Sequence, residues 1–333
     1  MKILITTGIY PPDIGGPEQY AKNLAEAFQQ LGHEVAVKTY KSEKKLPTGI
    51  RHLYFFLKIL PAIWRADFIL ALDTFSVGLP TVAAGRLWRK KVIIRTGGDF
   101  LWEGYVERTG DLVLLRKFYQ TNLSKLSLKE KIIFRLTRWT LHHATKLVFS
   151  TDWQRQIWRN PYGLDLSRTA IVENYYGPKE ASQEPTRKNF IFASRPLKLK
   201  NLETLNRAFT EVKKLQPDII LESVSLSHAE LMNKIASAYA VILPSISEVS
   251  PNLVLEALVY DKPVIMTREC GLASLLRSRT LLVDPLSVDD LKAAIWQMID
   301  GQDYLKLQQK VKEFSHLHNW PSIASELLQG FSG

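Results

Sequence analysis

Short, wholly apolar runs recur along this chain, each followed by a stretch with helical periodicity, and that alternation constrains the fold more than any other feature. Ile3-Leu4-Ile5 lies inside Lys2 to Thr7, which reads as a first buried strand. Tyr20, Leu24, Ala27, Phe28 and Leu31 then repeat at helical spacing over Pro17 to Leu31, and His33 to Thr39 reads as a second strand. Further strands are expected near Phe68 to Leu72, Val92 to Arg95 and Lys146 to Ser150. Alternation of this kind implies a parallel sheet covered by helices, an α/β fold. The pattern breaks at Asn174 to Lys188, rich in Pro, Gly, Glu and Ser, and restarts with Asn189 to Ser194. A chain of 333 residues with 46% hydrophobic content is long enough for two such domains. The expected division is a domain over residues 1–173, a linker over 174–188 and a second domain over 189–319. Pro321 to Phe331 reads as a closing helix with Ile323, Leu327, Leu328 and Phe331 as its docking stripe.

Composition narrows the class. The single cysteine, Cys270, excludes an internal disulfide and fits a reducing compartment. No stretch approaches the ~18 apolar residues of a spanning helix, because Phe55 to Trp64 is interrupted by Lys58 and Pro61. The N-terminal apolar run is too short for a signal peptide. The net charge of +11 resides entirely in the first half: residues 1–175 hold 26 Lys plus Arg against 15 Asp plus Glu, and residues 176–333 hold 18 against 18. That asymmetry points to a polyanionic partner, either an anionic membrane surface or a nucleic acid. Residues 105–168 interleave cations with large apolar groups, and Leu112 to Leu115 followed by Arg116-Lys117-Phe118-Tyr119 either lies in a membrane interface or is an ordinary helix with a solvated basic face. Lys58 among Phe55, Phe56, Leu57, Ile59 and Leu60 either extends the same surface or belongs to the core. With no RNA-binding aromatic strand motif, zinc knuckle or compact basic recognition helix, a nucleic-acid-binding protein is the least favoured class.

The chemistry concentrates in Pro244 to Leu258. Ala240-Val241-Ile242-Leu243 reads as a buried strand, and Asn252 to Tyr260 as a helix opened by Ser250 as cap with Pro251 just inside. Glu248 then lies on the loop and Glu256 one turn into the helix, eight positions later. A helix opening at the carboxyl end of a buried strand offers backbone N–H groups, and open α/β sheets bind ligands in that crevice. Glu256 can accept both hydroxyls of a ribose; the alternative is an exposed helical carboxylate and a loop surface charge. Arg195 and Lys200 follow the first strand of the second half, where two cations can clamp a diphosphate or simply be solvated. In Tyr10-Pro11-Pro12-Asp13-Ile14-Gly15-Gly16-Pro17, the paired glycines allow close backbone approach and Pro17 suits a first helical position, so the stretch is either a phosphate-binding loop or a plain tight turn.

Together these pieces resemble glycosyltransferase family 4, retaining nucleotide-sugar transferases of the GT-B fold. The features that carry the resemblance occur in order: Tyr10-Pro11-Pro12 with Gly15-Gly16 and Gly32-His33-Glu34-Val35, Arg195 with Lys200, Pro244-Ser245 and Glu248 with Glu256-Ala257, and Asp261-Lys262-Pro263-Val264-Ile265. The resemblance implies two Rossmann-like domains facing across a cleft, with the donor mostly on the second. It assigns the donor pyrophosphate to Arg195 and Lys200, the ribose to Glu256, and the sugar to Glu248 with the backbone of Ser250, Pro251, Asn252 and Leu253. Gly15 and Gly16 would close over the phosphates, and the closing helix, about residues 320–333, would pack back across the first domain. The leaving diphosphate would be stabilised by protein groups, with no metal or other cofactor required.

Departures from the family pattern are equally legible. The usual Gly-Arg and Lys-Gly of the clamp are Ser194-Arg195 and Lys200-Asn201 here, and the stretch from Lys200 to Glu248 is shorter than usual by about one strand–helix unit, so the second domain is expected to be shortened. After Val92-Ile93-Ile94, where many relatives carry a histidine, this chain reads Arg95-Thr96-Gly97-Gly98-Asp99. Asp99 is the candidate replacement, orienting the acceptor hydroxyl or steadying positive charge, with a helix cap as the alternative and Glu103 as second choice. His142 and His143 are adjacent on a helix and point different ways, which argues against a shared metal ion. The function implied is transfer of a hexosyl group from a nucleotide diphosphate sugar, base undetermined, to an acceptor hydroxyl on a lipid-linked or cell-surface glycan precursor, by a cytoplasmic protein peripheral to the inner membrane face. A catalytically lost GT-B-like binding subunit and a sugar-nucleotide epimerase remain as alternatives.

Overall fold

The computed structural model describes residues 1–11, 16–40 and 42–332. From the amino terminus the chain forms β1 (Lys2–Thr7), α1 (Gly16–Gln30), β2 (Glu34–Thr39), α2 (Thr48–Arg65), β3 (Phe68–Ala71), α3 (Gly78–Leu87), β4 (Ile93–Arg95), α4 (Phe100–Thr109), α5 (Leu115–Thr121), α6 (Leu128–His143), β5 (Lys146–Phe149), α7 (Asp152–Tyr162) and β6 (Thr169–Ile171). It continues with β7 (Asn189–Ala193), α8 (Leu202–Lys213), β8 (Ile220–Val224), α9 (His228–Ala236), β9 (Ala240–Leu243), α10 (Asn252–Val259), β10 (Val264–Thr267), α11 (Ala273–Leu276), β11 (Leu281–Val283), α12 (Val288–Ile299), α13 (Gly301–Lys312) and α14 (Trp320–Ser332). Two compact units result. One comprises Met1–Leu101, Leu123–Tyr175 and His318–Gly333, the other Trp102–Asn122 and Tyr176–Leu317.

The first unit holds a six-stranded sheet in the order β2-β1-β3-β4-β5-β6, with every pair parallel. The step from β1 to β2 runs one way across this sheet, and the steps from β2 through β5 run the other. Right-handed crossovers therefore put α1 on one face and α2, α3 and α6 on the other. On the α1 side, Leu24 and Phe28 pack with Ile3, Ile5, Phe68, Leu70 and Ile93, and the cluster is closed by Ile323, Ala324 and Leu327 of α14. The closing helix packs on the first unit, with Leu328 also against the cluster; the side chain of Phe331 lies outside the described residues. On the opposite side, α2 packs against α3 and α3 against α6. A capping box at Ser127 and Glu130 starts α6, and a left-handed Gly163 ends α7.

The second unit holds a five-stranded parallel sheet in the order β11-β10-β9-β7-β8. Its core joins Phe190, Ile191, Val241, Ile242, Val264 and Ile265 to the inner faces of α8, α10 and α12. The central strands β9 and β10 are buried throughout, as a parallel sheet covered on both faces requires. Residues 102–122 pack into this unit although they precede the last two strands of the first sheet. Leu114, Leu115, Phe118 and Tyr119 are buried there. Of the two readings of 112–119, that burial favours an ordinary helix with a buried apolar face, with Leu112 and Val113 partly buried.

Candidate functional site

Strand order in the second sheet reverses between β7 and β9, which lie side by side with Phe190 opposite Ala240 and Ile191 opposite Val241. The loops leaving their carboxyl ends are therefore neighbours, at the position where doubly wound sheets bind ligands. Two contacts stitch these loops together. The Ile246 amide donates to the Leu199 carbonyl at 2.9 Å, and Asn201 Nδ2 donates to the carbonyls of Pro244 at 3.1 Å and Pro285 at 2.6 Å. Asn201 stands where the family pattern has glycine, with φ at +61°. Asn is among the few residues that enter this left-handed region at small cost, and its amide supplies contacts that glycine lacks.

The stitching brings Lys200 to Glu248, Nζ to Oε1 at 2.6 Å, with both side chains largely buried. Glu248 is held by its backbone, donating its amide to the Glu269 carbonyl at 2.9 Å and accepting from the Gly271 amide at 3.0 Å. Arg195 is exposed and forms no ion pair among the described residues. Glu256 is partly buried on α10, where His228 Nε2 stands 3.1 Å from its Oε1. The sequence reading missed His228, because it sits at the start of α9, 28 residues away and outside every motif. Ser250 does not cap α10: the cap position falls on Pro251, whose extended backbone turns the chain into a helix starting at Asn252, and no side chain caps it. Pro251 and Leu253 are buried and Asn252 is exposed.

The segment from Trp102 to Asn122 braces this site from behind. The Leu199 amide donates to Glu107 Oε1 at 3.2 Å, Lys198 Nζ donates to the Glu107 carbonyl at 3.0 Å, and the Leu115 amide donates to Ser247 Oγ at 3.0 Å. Arg116 grips buried Glu269 through both Nε, at 2.7 Å, and an Nη. That carboxylate raises the guanidinium above its ordinary pKa. Leu199 and Ser247 adjoin Lys200 and Glu248 in the chain, and Glu269 pairs with Glu248 through the backbone. Cys270, beside Glu269, is buried, and burial pushes its thiol well above the usual range.

In the first unit, Gly15 lies outside the described residues and Gly16 opens α1. Asp99 immediately precedes α4 and is only 1% exposed; Trp158 Nε1 donates to its Oδ2 at 2.7 Å. Gln154 accepts from Thr96 Oγ1 and donates to the Gly97 carbonyl, fixing the turn that leads to Asp99. A second carboxylate at this end of the sheet went unread in the sequence. Asp73, just after β3, accepts from the amides of Phe75, Val77 and Gly78. A Cβ at Gly78 would stand 2.2 Å from the Asp73 carbonyl oxygen, so only glycine fits. His142 Nε2 and His143 Nδ1 turn to different carbonyls, of Tyr162 and Trp139. Among the described residues, no group of three or more His, Cys, Asp or Glu side chains could share a metal ion.

Residues 14–178 match the family model described as Glycosyltransferase Family 4, and residues 223–316 match the one described as Glycosyl transferases group 1. Arg195 and Lys200 fall between the two stretches. No curated protein matches the sequence. Among solved structures, Anabaena HepE in complex with UDP-glucose is similar at 14% identity and a TM-score of 0.73, over 100% of this chain and 99% of that one. Sucrose-phosphate synthase from Thermosynechococcus elongatus is similar at 14% identity and a TM-score of 0.71, over 99% and 98%. WaaG, a glycosyltransferase involved in lipopolysaccharide biosynthesis, gives 14% identity and a TM-score of 0.69, over 97% and 98%. Two successive family matches over most of the sequence, on two parallel sheets of this topology, make the chain a member of the family 4 type of GT-B glycosyltransferases.

Proposed function

We propose that this glycosyltransferase moves a hexosyl group from a nucleotide diphosphate sugar to an acceptor hydroxyl, with retention at the anomeric carbon. The observation that carries the reading is the Lys200–Glu248 pair, at the carboxyl ends of two strands where the sheet order reverses. In this reading the bond from the anomeric carbon to the diphosphate oxygen breaks, the acceptor oxygen bonds to that carbon, and the hydroxyl proton leaves. Arg195 and Lys200 balance charge on the departing diphosphate, Glu256 binds the ribose, and Glu248 with the start of α10 at Ser250 to Leu253 orients the sugar. Among the described residues, exposed Arg195 has no carboxylate to leave, whereas Lys200 exchanges Glu248 for a phosphate oxygen. Asp99 is the carboxylate assigned to steadying positive charge in the reaction.

The second unit serves as the donor side and the first as the acceptor side. UDP-glucose in the HepE structure supports a nucleotide diphosphate sugar as donor, and the role of WaaG in lipopolysaccharide biosynthesis supports a cell-surface glycan precursor as acceptor. The protein works in the cytoplasm, peripheral to the inner membrane face. No helix among the described residues is long and apolar enough to cross a membrane.

Calorimetric titration of UDP-, GDP-, ADP- and dTDP-sugars into the wild type and Glu256→Ala, without added metal, tests the donor assignment. One donor should bind the wild type, and the variant should bind it at least about tenfold more weakly, a loss of about 1.4 kcal/mol. Silence across the whole panel would remove the transferase reading and favour a binding subunit.

A further inference from the structure

Helix α2 is apolar on two opposite faces. Phe55, Ile59 and Ile63 are buried toward the sheet. Ile50, Leu53, Tyr54, Leu57, Pro61 and Trp64 are all exposed, with Leu53 at 61%, Leu57 at 56% and Trp64 at 60%. At 3.6 residues per turn, these six fall within an arc of about 100° on the helix. Solvent-facing positions of a globular helix are normally polar, so a continuous stripe of this kind marks a surface that something covers.

The occupant is indicated by charge. Arg51, Lys58 and Arg65 recur every seven residues along one edge of the stripe, and α2 contains no Asp or Glu. Lys58 reaches the Thr39 carbonyl and Glu43. Arg65 is exposed without an ion pair among the described residues, as are Arg86 and Arg89, which flank exposed Leu87 and Trp88 at the end of the neighbouring α3. On the same layer, α6 exposes Leu128, Ile132 and Leu136 at successive turns, interleaved with Lys131 and Arg135. Between α2 and α3 an apolar groove of about 280 Å³ opens, lined by His52, Leu53 and Phe56 with Leu79, Pro80 and Ala83. A second copy of this chain would meet the face with an equally basic one. An anionic bilayer surface instead takes the apolar stripe into its acyl boundary and the flanking cations among its headgroups.

We propose that the outer face of α2, with the neighbouring end of α3, is the surface by which this protein docks on an anionic membrane. The proposal rests on the peripheral membrane reading above and names the surface that performs it. In residues 112–119, Leu114, Leu115, Phe118 and Tyr119 are buried, so the proposed surface does not draw on them.

The test is cosedimentation of the full chain with phosphatidylcholine vesicles, with and without phosphatidylglycerol. Leu57→Ser/Trp64→Ser and Arg65→Ser/Arg86→Ser/Arg89→Ser alter only exposed side chains. Thermal unfolding checks that both variants fold. The wild type should bind the phosphatidylglycerol vesicles, at least about tenfold more tightly than phosphatidylcholine alone, and lose binding as salt is added. Each variant should bind about tenfold or more weakly. Wild type that ignores phosphatidylglycerol vesicles, or variants that bind as well as it does, would overturn the proposal. So would reversible dimerisation in sedimentation velocity that Leu57→Ser/Trp64→Ser abolishes while no vesicle binding is seen. Donor titration on the same samples separates the two readings: vesicle binding without donor binding removes the transferase assignment alone, and donor binding without vesicle binding removes the docking face alone.

Discussion

Asn201 shows how a single residue can depart from a family pattern and still perform its backbone duty. Its left-handed conformation suits glycine, yet its side chain ties the two site loops together through Pro244 and reaches the loop after β11 through Pro285. Asn201→Gly keeps the conformation and deletes both contacts, so it should destabilise the protein by about 1–3 kcal/mol in urea unfolding. Asn201→Ala should be worse by about a further 1 kcal/mol, because a Cβ in this region is strained without compensation. Equal stability of the glycine variant and the wild type would show that the stitching contributes nothing. The sequence exposed the substitution as a departure, but not its compensation, since the carbonyls that Asn201 reaches lie 43 and 84 residues away.

Among the elements, the segment from Trp102 to Asn122 is the least expected from the sequence. It joins the second unit through Glu107, Leu115 and Arg116, and Arg116 is the contact that a substitution can isolate. Arg116→Ala leaves the Glu269 carboxylate buried without its guanidinium and should cost about 1–3 kcal/mol, reduced by the half-exposed position of the arginine. In a double-mutant cycle, Glu269→Gln should recover part of that loss; additivity of the two substitutions would mean that the pair does not couple. Legibility followed burial. β9 is a wholly apolar run and β1 is buried from Ile3 to Thr7 around Ile3-Leu4-Ile5, and their bounds, Lys2 to Thr7 and Ala240 to Leu243, were read from the sequence alone. The edge strands β6 and β8 are only half buried and carry no such run. Glu248 and Glu256 stood out by their spacing around a strand–helix junction. Their partners Lys200 and His228 lie 48 and 28 residues away, a pairing that only the folded sheet creates.

At the scale of the molecule, two separate sheets with separate cores should respond separately to a ligand of the second. If the donor binds there, then at one hundred times its dissociation constant it should stabilise the second unit by about 2.7 kcal/mol. Scanning calorimetry should show one transition moving up while another stays, and a single transition moving as a whole would mean that the units unfold together. The chain passes from one unit to the other four times, at residues 101/102, 122/123, 175/176 and 317/318. Synthesis runs from the amino terminus, so the six strands of the first sheet leave the ribosome long before Ile323, Ala324 and Leu327 can cover Leu24 and Phe28. During that interval the whole second unit is made, and the α1 side of the first stays an open apolar seam. The earlier-made half is therefore the later one to finish folding, because its seam closes only when α14 arrives.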